Sequence, residues 1–111
     1  MIDREALAAM RSSAYLINIA RGEVVDDDAL VDALRRGAIA GAGLDTFREE
    51  PLPSSSPYWT LPNCIVTPHI SGYTPKYFER TLELFRDNLR RYVAGERLRN
   101  VVDKRLGYVT G

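Results

Sequence analysis

The chain is poor in the residues that build disulfides and metal sites. It carries one cysteine and one histidine in 111 residues. Cys64 alone excludes an intrachain disulfide and a Cys-rich zinc site. No metal is expected, and a reducing, cytoplasmic setting follows as the default. Net charge is also missing, because fifteen basic and fifteen acidic residues cancel. No field of one sign therefore favours nucleic acid or an anionic membrane. No apolar run approaches the roughly 18 residues of a membrane span. The opening Met1-Ile2-Asp3-Arg4-Glu5 has no signal-peptide core. Nor is there a Gly-x-Gly-x-x-Gly phosphate loop. Gly41 and Gly43 could start one, but position 46 is Thr and no helical segment follows.

What is present is ordinary in amount and informative in order. Hydrophobic residues make up 45% and charged residues 27%, which suits a soluble globular chain with room for one small domain. Residues 3–11 predict a short helix capped by Asp3, with Leu7 and Met10 as its apolar stripe. Ser12-Ser13 breaks it. Residues 14–19 are apolar except for Asn18, as expected of a strand covered by helices on both faces. The triplet Asp26-Asp27-Asp28 opens a helix over 27–36, Arg35 and Arg36 suit its negative end, and Gly37 fits its C′ position.

Residues 39–45 predict a second strand, in which Gly41 and Gly43 suggest close backbone approach. Residues 46–63 form a long loop with prolines at 51, 53, 57 and 62. Tyr58, Trp59 and Leu61 argue that this loop packs rather than floats. Residues 64–67 predict a third strand. Thr74-Pro75 starts a long helix, with Thr as N-cap and Pro at N1. Its stripe of Phe78, Leu82, Phe85, Leu89 and Tyr92 is expected to serve core or inter-domain packing, and Gly95 ends it. Residues 96–111 read as a basic tail or short helix that needs a partner surface. The α-β-α-β-loop-β-α order predicts an α/β fold, a partial doubly wound parallel sheet with a long C-terminal helix.

Arg21, Asp45 and His69 each sit at the downstream end of one of the three apolar runs, 24 residues apart. Successive parallel strands would deliver all three to one sheet edge, where ligands of open α/β sheets bind. A guanidinium, a carboxylate and the only imidazole form a candidate catalytic site. Taken singly, each has a plainer alternative: a surface arginine, a turn carboxylate, a hydrogen-bonded core histidine.

Three stretches resemble one family. Asn18 to Asp26 (Asn-Ile-Ala-Arg-Gly-Glu-Val-Val-Asp) is similar to the third signature of the D-isomer-specific 2-hydroxyacid dehydrogenases. Ala40 to Pro53, containing Gly-Leu-Asp45-Thr-Phe and Glu50-Pro51, resembles the family's Gly-x-x-Leu-Asp-Val-Phe-x-x-Glu-Pro stretch. Leu61 to Gly72, containing Thr67-Pro68-His69, resembles its Leu-Pro-Asn-Val-x-x-Thr-Pro-His motif. The resemblance runs from about residue 2 to 105, and from Gly72 to Arg80 it is nearest to glyoxylate/hydroxypyruvate-reductase-like members.

The resemblance implies a Rossmann-like cofactor domain, of which residues 1–111 are the C-terminal portion, with 96–111 returning to a substrate domain not contained here. It implies hydride transfer between NAD or NADP and a small D-2-hydroxy acid or 2-keto acid. His69 would be the acid/base, Glu50 its carboxylate partner, and Arg21 the clamp on the substrate carboxylate. Asp45 would accept from the nicotinamide carboxamide, with Ala20, Arg21, His69, Ser71 and Gly72 lining the same pocket. It also implies a homodimer in the full-length protein. The family's phosphate loop would lie before residue 1. The chain is therefore expected to be truncated, to bind dinucleotide weakly and to be inactive alone. The alternative is a non-catalytic, NAD-responsive interaction protein like the corepressors of the same superfamily, or a remnant subdomain.

Overall fold

A computed structural model describes residues 1–109 of the chain. It resolves into two compact units, 1–71 and the described residues from Gly72 onward.

In the first unit, helix α1 (Arg4–Ala8) is capped by Asp3, whose carboxylate accepts from the Ala6 amide at 2.9 Å. Strand β1 (Tyr15–Asn18) follows, then helix α2 (Asp27–Arg35). Of the acidic triplet, Asp26 is the cap, accepting from the Ala29 amide at 3.0 Å. Gly37 follows α2 at φ 64°, a left-handed position that glycine enters without penalty. Strands β2 (Gly41–Leu44) and β3 (Cys64–Val66) complete a parallel sheet in the order β1-β2-β3. Asn18 is registered with Leu44 and Leu44 with Val66, so the three strands end level.

α2 buries Ala29, Leu30, Val31, Ala33 and Leu34. They join Leu7, Ile39, Leu44, Phe47 and Tyr58 in one core. Leu30 and Ile39 are fully enclosed, each stabilising the fold by about 1.5–3 kcal/mol through transfer from water. The loop 46–63 does pack: Tyr58 is buried and donates its hydroxyl to the Asp27 carboxylate at 2.8 Å, and the Trp59 indole donates to the Pro53 carbonyl.

Along β1 the burial alternates, and within the first unit the core lies on one face of the sheet. Tyr15, Ile17, Ile19 and Ile65 on the other face are 62–71% exposed. The glycines of β2 explain how that face stays level. A Cβ on Gly43 would meet the Ile17 side chain at 3.0 Å, and one on Gly41 would meet the Asn63 carbonyl at 2.7 Å.

In the second unit, helix α3 (Tyr77–Val93) begins later than expected. Thr74 and Pro75 form a turn ahead of it, with the Tyr77 amide on the Thr74 carbonyl, and Lys76 occupies the cap position without a side-chain bond. Gly95 ends α3 at φ 69°, as anticipated. The expected core packing of its stripe is not seen within the unit, since α3 has no buried residue. Nor is the tail a short helix: β4 (Val102–Asp103) and β5 (Tyr108–Val109) make an antiparallel hairpin. The segment leading to it is tied to α3 through Asn88, which exchanges two hydrogen bonds with the Arg99 backbone. Residues 110 and 111 of the tail lie outside the described residues. No described helix is long and apolar enough to cross a membrane.

Candidate active site

The level strand ends bring three loops together at the carboxyl edge of the sheet. After β1 the chain turns under the control of Asn18, the one polar residue of that strand. Its amide donates to the Arg21 carbonyl at 2.9 Å, and its oxygen accepts from the Ala20 amide at 3.1 Å. The turn holds Arg21 extended and exposed, with its guanidinium on the Ala20 carbonyl at 2.7 Å. Gly22 is needed for close backbone approach. Its φ is not left-handed. Instead, a Cβ there would overlap the backbone of Phe47 and Arg48, so glycine lets the loop after β2 press against the loop after β1.

The loop after β2 begins at Asp45, 3% exposed. Its carboxylate binds the loop after β3, accepting from the Thr67 hydroxyl, the Ile70 amide at 3.0 Å and the Ser71 amide at 2.8 Å. The Thr67 hydroxyl, with those amides, holds this carboxyl far below the usual carboxylate range although burial opposes it. His69 sits inside the loop so fixed. Its φ of 55° is rare for a residue with a side chain. The bonds from Asp45 to the two residues after it sustain that conformation.

Glu50 completes the arrangement. One oxygen accepts from the Phe47 amide at 2.8 Å, and the other lies 2.8 Å from His69 Nδ1. The His69 bond lowers the Glu50 carboxyl most, followed by the Phe47 amide, and the positive charge of Arg21 acts in the same direction. Thus Arg21 lies within electrostatic reach of the pair. The neighbouring Glu49 is exposed and makes no ion pair among the described residues. Glu50 and His69 border an open cleft of about 650 Å³, whose other walls are largely apolar: Phe47, Leu52, Trp59, Val66 and Pro68. Its volume falls within the range of small-ligand sites.

Chemically, a carboxylate bonded to one imidazole nitrogen fixes the tautomer and supports the imidazolium. The other nitrogen, Nε2, makes no hydrogen bond among the described residues. Cys64 offers no rival nucleophile, because burial raises its thiol and keeps it protonated. No described group of side chains could hold a metal ion. Of the remaining expected residues, Ala20 lies in the Asn18 turn and Ser71 on Asp45. Gly72 opens the second unit, with open space where a side chain would stand.

Asn18 and Thr67 are positioning residues that motif matching did not single out. A lone polar residue in an apolar strand was the available sign of Asn18. Thr67 gave none beyond its place in Thr-Pro-His, because its partner lies 22 residues away.

Comparison with known proteins shows the family. The D-isomer specific 2-hydroxyacid dehydrogenase, NAD binding domain, family matches residues 1–71. Glyoxylate/hydroxypyruvate reductase B of Pectobacterium carotovorum is 48% identical over 103 residues, covering 93% of this chain and 32% of that protein. Among solved structures, a D-isomer specific 2-hydroxyacid dehydrogenase from Xanthobacter autotrophicus, in complex with NADPH and MES, superposes with a TM-score of 0.82 at 46% identity. It covers 95% of this chain and 43% of that one. An NADPH-dependent glyoxylate/hydroxypyruvate reductase from Sinorhizobium meliloti, in complex with NADP and sulfate, gives 0.84 at 28% identity, over 96% and 35% of the two chains. The chain spans about a third of the length of the curated relatives it matches. It belongs to the D-isomer-specific 2-hydroxyacid dehydrogenase family, within the family's NAD-binding domain.

Proposed function

We propose that the chain supplies the nicotinamide side of the active site of an NAD(P)-dependent oxidoreductase acting on a small D-2-hydroxy acid or its 2-keto acid. The observation that carries this reading is the Glu50–His69 pair, 2.8 Å apart, with Glu50 itself held by the Phe47 amide. His69 Nε2 takes the hydroxyl proton in oxidation and returns it in reduction, and Glu50 stabilises the imidazolium between the two events. Arg21 grips the substrate carboxylate through its planar fork, a geometry that a lysine does not reproduce. NAD or NADP, when bound, accepts or delivers the hydride.

The residues present fit a nicotinamide ring with one adjustment. Asp45 carries the acceptor oxygens for a carboxamide, but Thr67, Ile70 and Ser71 already use them, and the Ser71 hydroxyl also approaches. Turning the Ser71 hydroxyl away frees one lone pair on Oδ2. Ser71 supplies backbone beside it; Ala20 and Gly72 rest on the resemblance alone. By the resemblance, the phosphate loop and substrate domain would lie in the portion of the relatives that this chain does not span. The isolated chain is accordingly expected to bind dinucleotide weakly and to turn over no substrate. A saturable NADH titration with micromolar affinity would contradict that.

The test is a chimera in which this chain replaces the matching third of the Pectobacterium reductase. Glyoxylate reduction by the chimera should fall by about 10²–10⁴-fold in kcat/KM on His69→Ala. Arg21→Lys should raise KM for the keto acid more than it lowers kcat. A His69→Ala chimera as fast as its parent would sink the assignment.

A further inference from the structure

Phe47 is a shared node of the site. Its amide holds Glu50 at 2.8 Å, and Glu50 in turn holds the His69 imidazole. The same residue meets the loop that carries Arg21. A Cβ on Gly22 would stand 2.0 Å from the Phe47 carbonyl carbon and 2.2 Å from the Arg48 nitrogen, where carbon atoms in ordinary contact are about 3.5–4.0 Å apart. Gly22 directly follows Arg21. The backbone that holds the acid/base pair therefore rests on the backbone beside the clamp.

Neither side of this contact is free to yield. On one side, the buried Asn18 side chain ties the Arg21 carbonyl and the Ala20 amide. On the other, Phe47 is buried against Tyr58, with ring centroids 6.0 Å apart, and the Tyr58 hydroxyl is bonded to Asp27 in α2. Gly22 is itself buried. All of these contacts lie inside the first unit.

We propose, resting on the function assigned above, that Gly22 is a positioning residue. Its contact with the Phe47–Arg48 peptide sets the distance between the Arg21 guanidinium and the Glu50–His69 pair. A substrate whose carboxylate and carbonyl are adjacent needs that distance held. A side chain at position 22 would part the two loops by about 1–2 Å, and a misplacement of about 1 Å can cost 10²-fold in rate.

Gly22→Ala in the chimera with the Pectobacterium reductase tests this. The variant should lower kcat/KM for glyoxylate by about tenfold or more. In an Arg21→Gln background the same change should cost less than about threefold, because no clamp remains to be misplaced, whereas a general loss of packing would lower both backgrounds alike. In the full chain, Gly22→Ala should also move the Glu50 carboxyl up towards 4.5, since the Phe47 amide and the Arg21 charge both help to lower it. Carbon-13 NMR reads that titration, and circular dichroism with Trp59 emission reports whether the unit is folded. Should Gly22→Ala not fold, Phe47→Leu disturbs the same contact from its other anchor without adding an atom, and the same dependence on Arg21 is expected. Kinetics within about threefold of the parent, or equal losses with and without Arg21, overturn the proposal. A His69→Ala chimera as fast as its parent would instead sink the assigned function; a slow His69→Ala with an unchanged Gly22→Ala sinks the positioning role alone.

Discussion

Helices α2 and α3 are both strongly amphipathic, and they meet opposite fates. α2 loses five apolar residues into the core, while α3 buries none. The difference lies in what faces them. α2 lies against a sheet face lined by Leu16, Ala42, Leu44 and Val66; the unit of α3 holds only the two-stranded β4-β5 hairpin. An apolar stripe states which side of a helix avoids water, and leaves open whether anything is there to meet it.

Matched truncations sharpen this contrast. Leu30→Ala in α2 should cost about 2–5 kcal/mol, because it opens a cavity in an enclosed site. Urea unfolding followed by Trp59 emission reads it directly. Acid comes next in size. The Asp45 and Glu50 carboxyls are lowered on folding from ordinary values of 3.8 and 4.5. Their contribution is therefore complete above those values and is lost as pH falls through the lower, folded ones. The first unit should weaken progressively below about pH 4.5, and Asp45→Asn should flatten that dependence; an unchanged acid profile in the variant would show that Asp45 is not its source. Smallest is Leu82→Ala in α3, which should alter the stability of the monomeric chain by less than about 0.5 kcal/mol, as exposed substitutions do. A cost approaching that of Leu30→Ala would erase the distinction between the two helices.

Much of the first unit was legible because its signals are local. Asp3 and Asp26 announce helix starts, Gly37 a helix end, and three apolar runs the three strands. Arg21, Asp45 and His69 fall at strand ends because parallel strands of similar length in register finish together. What escaped depends on contacts between distant segments. Gly22 carries no local sign of its role, which comes from Phe47 and Arg48 pressing against it. Asp45 looked like a ligand acceptor, yet most of its hydrogen-bonding capacity goes to Thr67, Ile70 and Ser71. Thr74-Pro75 carries the chemistry of a helix start, and the chain forms a turn there before α3 begins. The alternation of burial along β1 was not legible because Tyr15, Ile17 and Ile19 are as apolar as the residues that the first unit covers.

The Asp45 carboxylate also sets an order of events. Its partners lie 22 to 26 residues along the chain, so they cannot reach it until β3 has paired with β2. The left-handed turn at His69, a conformation histidine enters more readily than most residues, is held by those same bonds. The imidazole therefore takes up its position against Glu50 only late in folding, after the sheet has closed, as expected for contacts of large sequence separation. A nascent or partly unfolded first unit could keep its helices and still have no organised site.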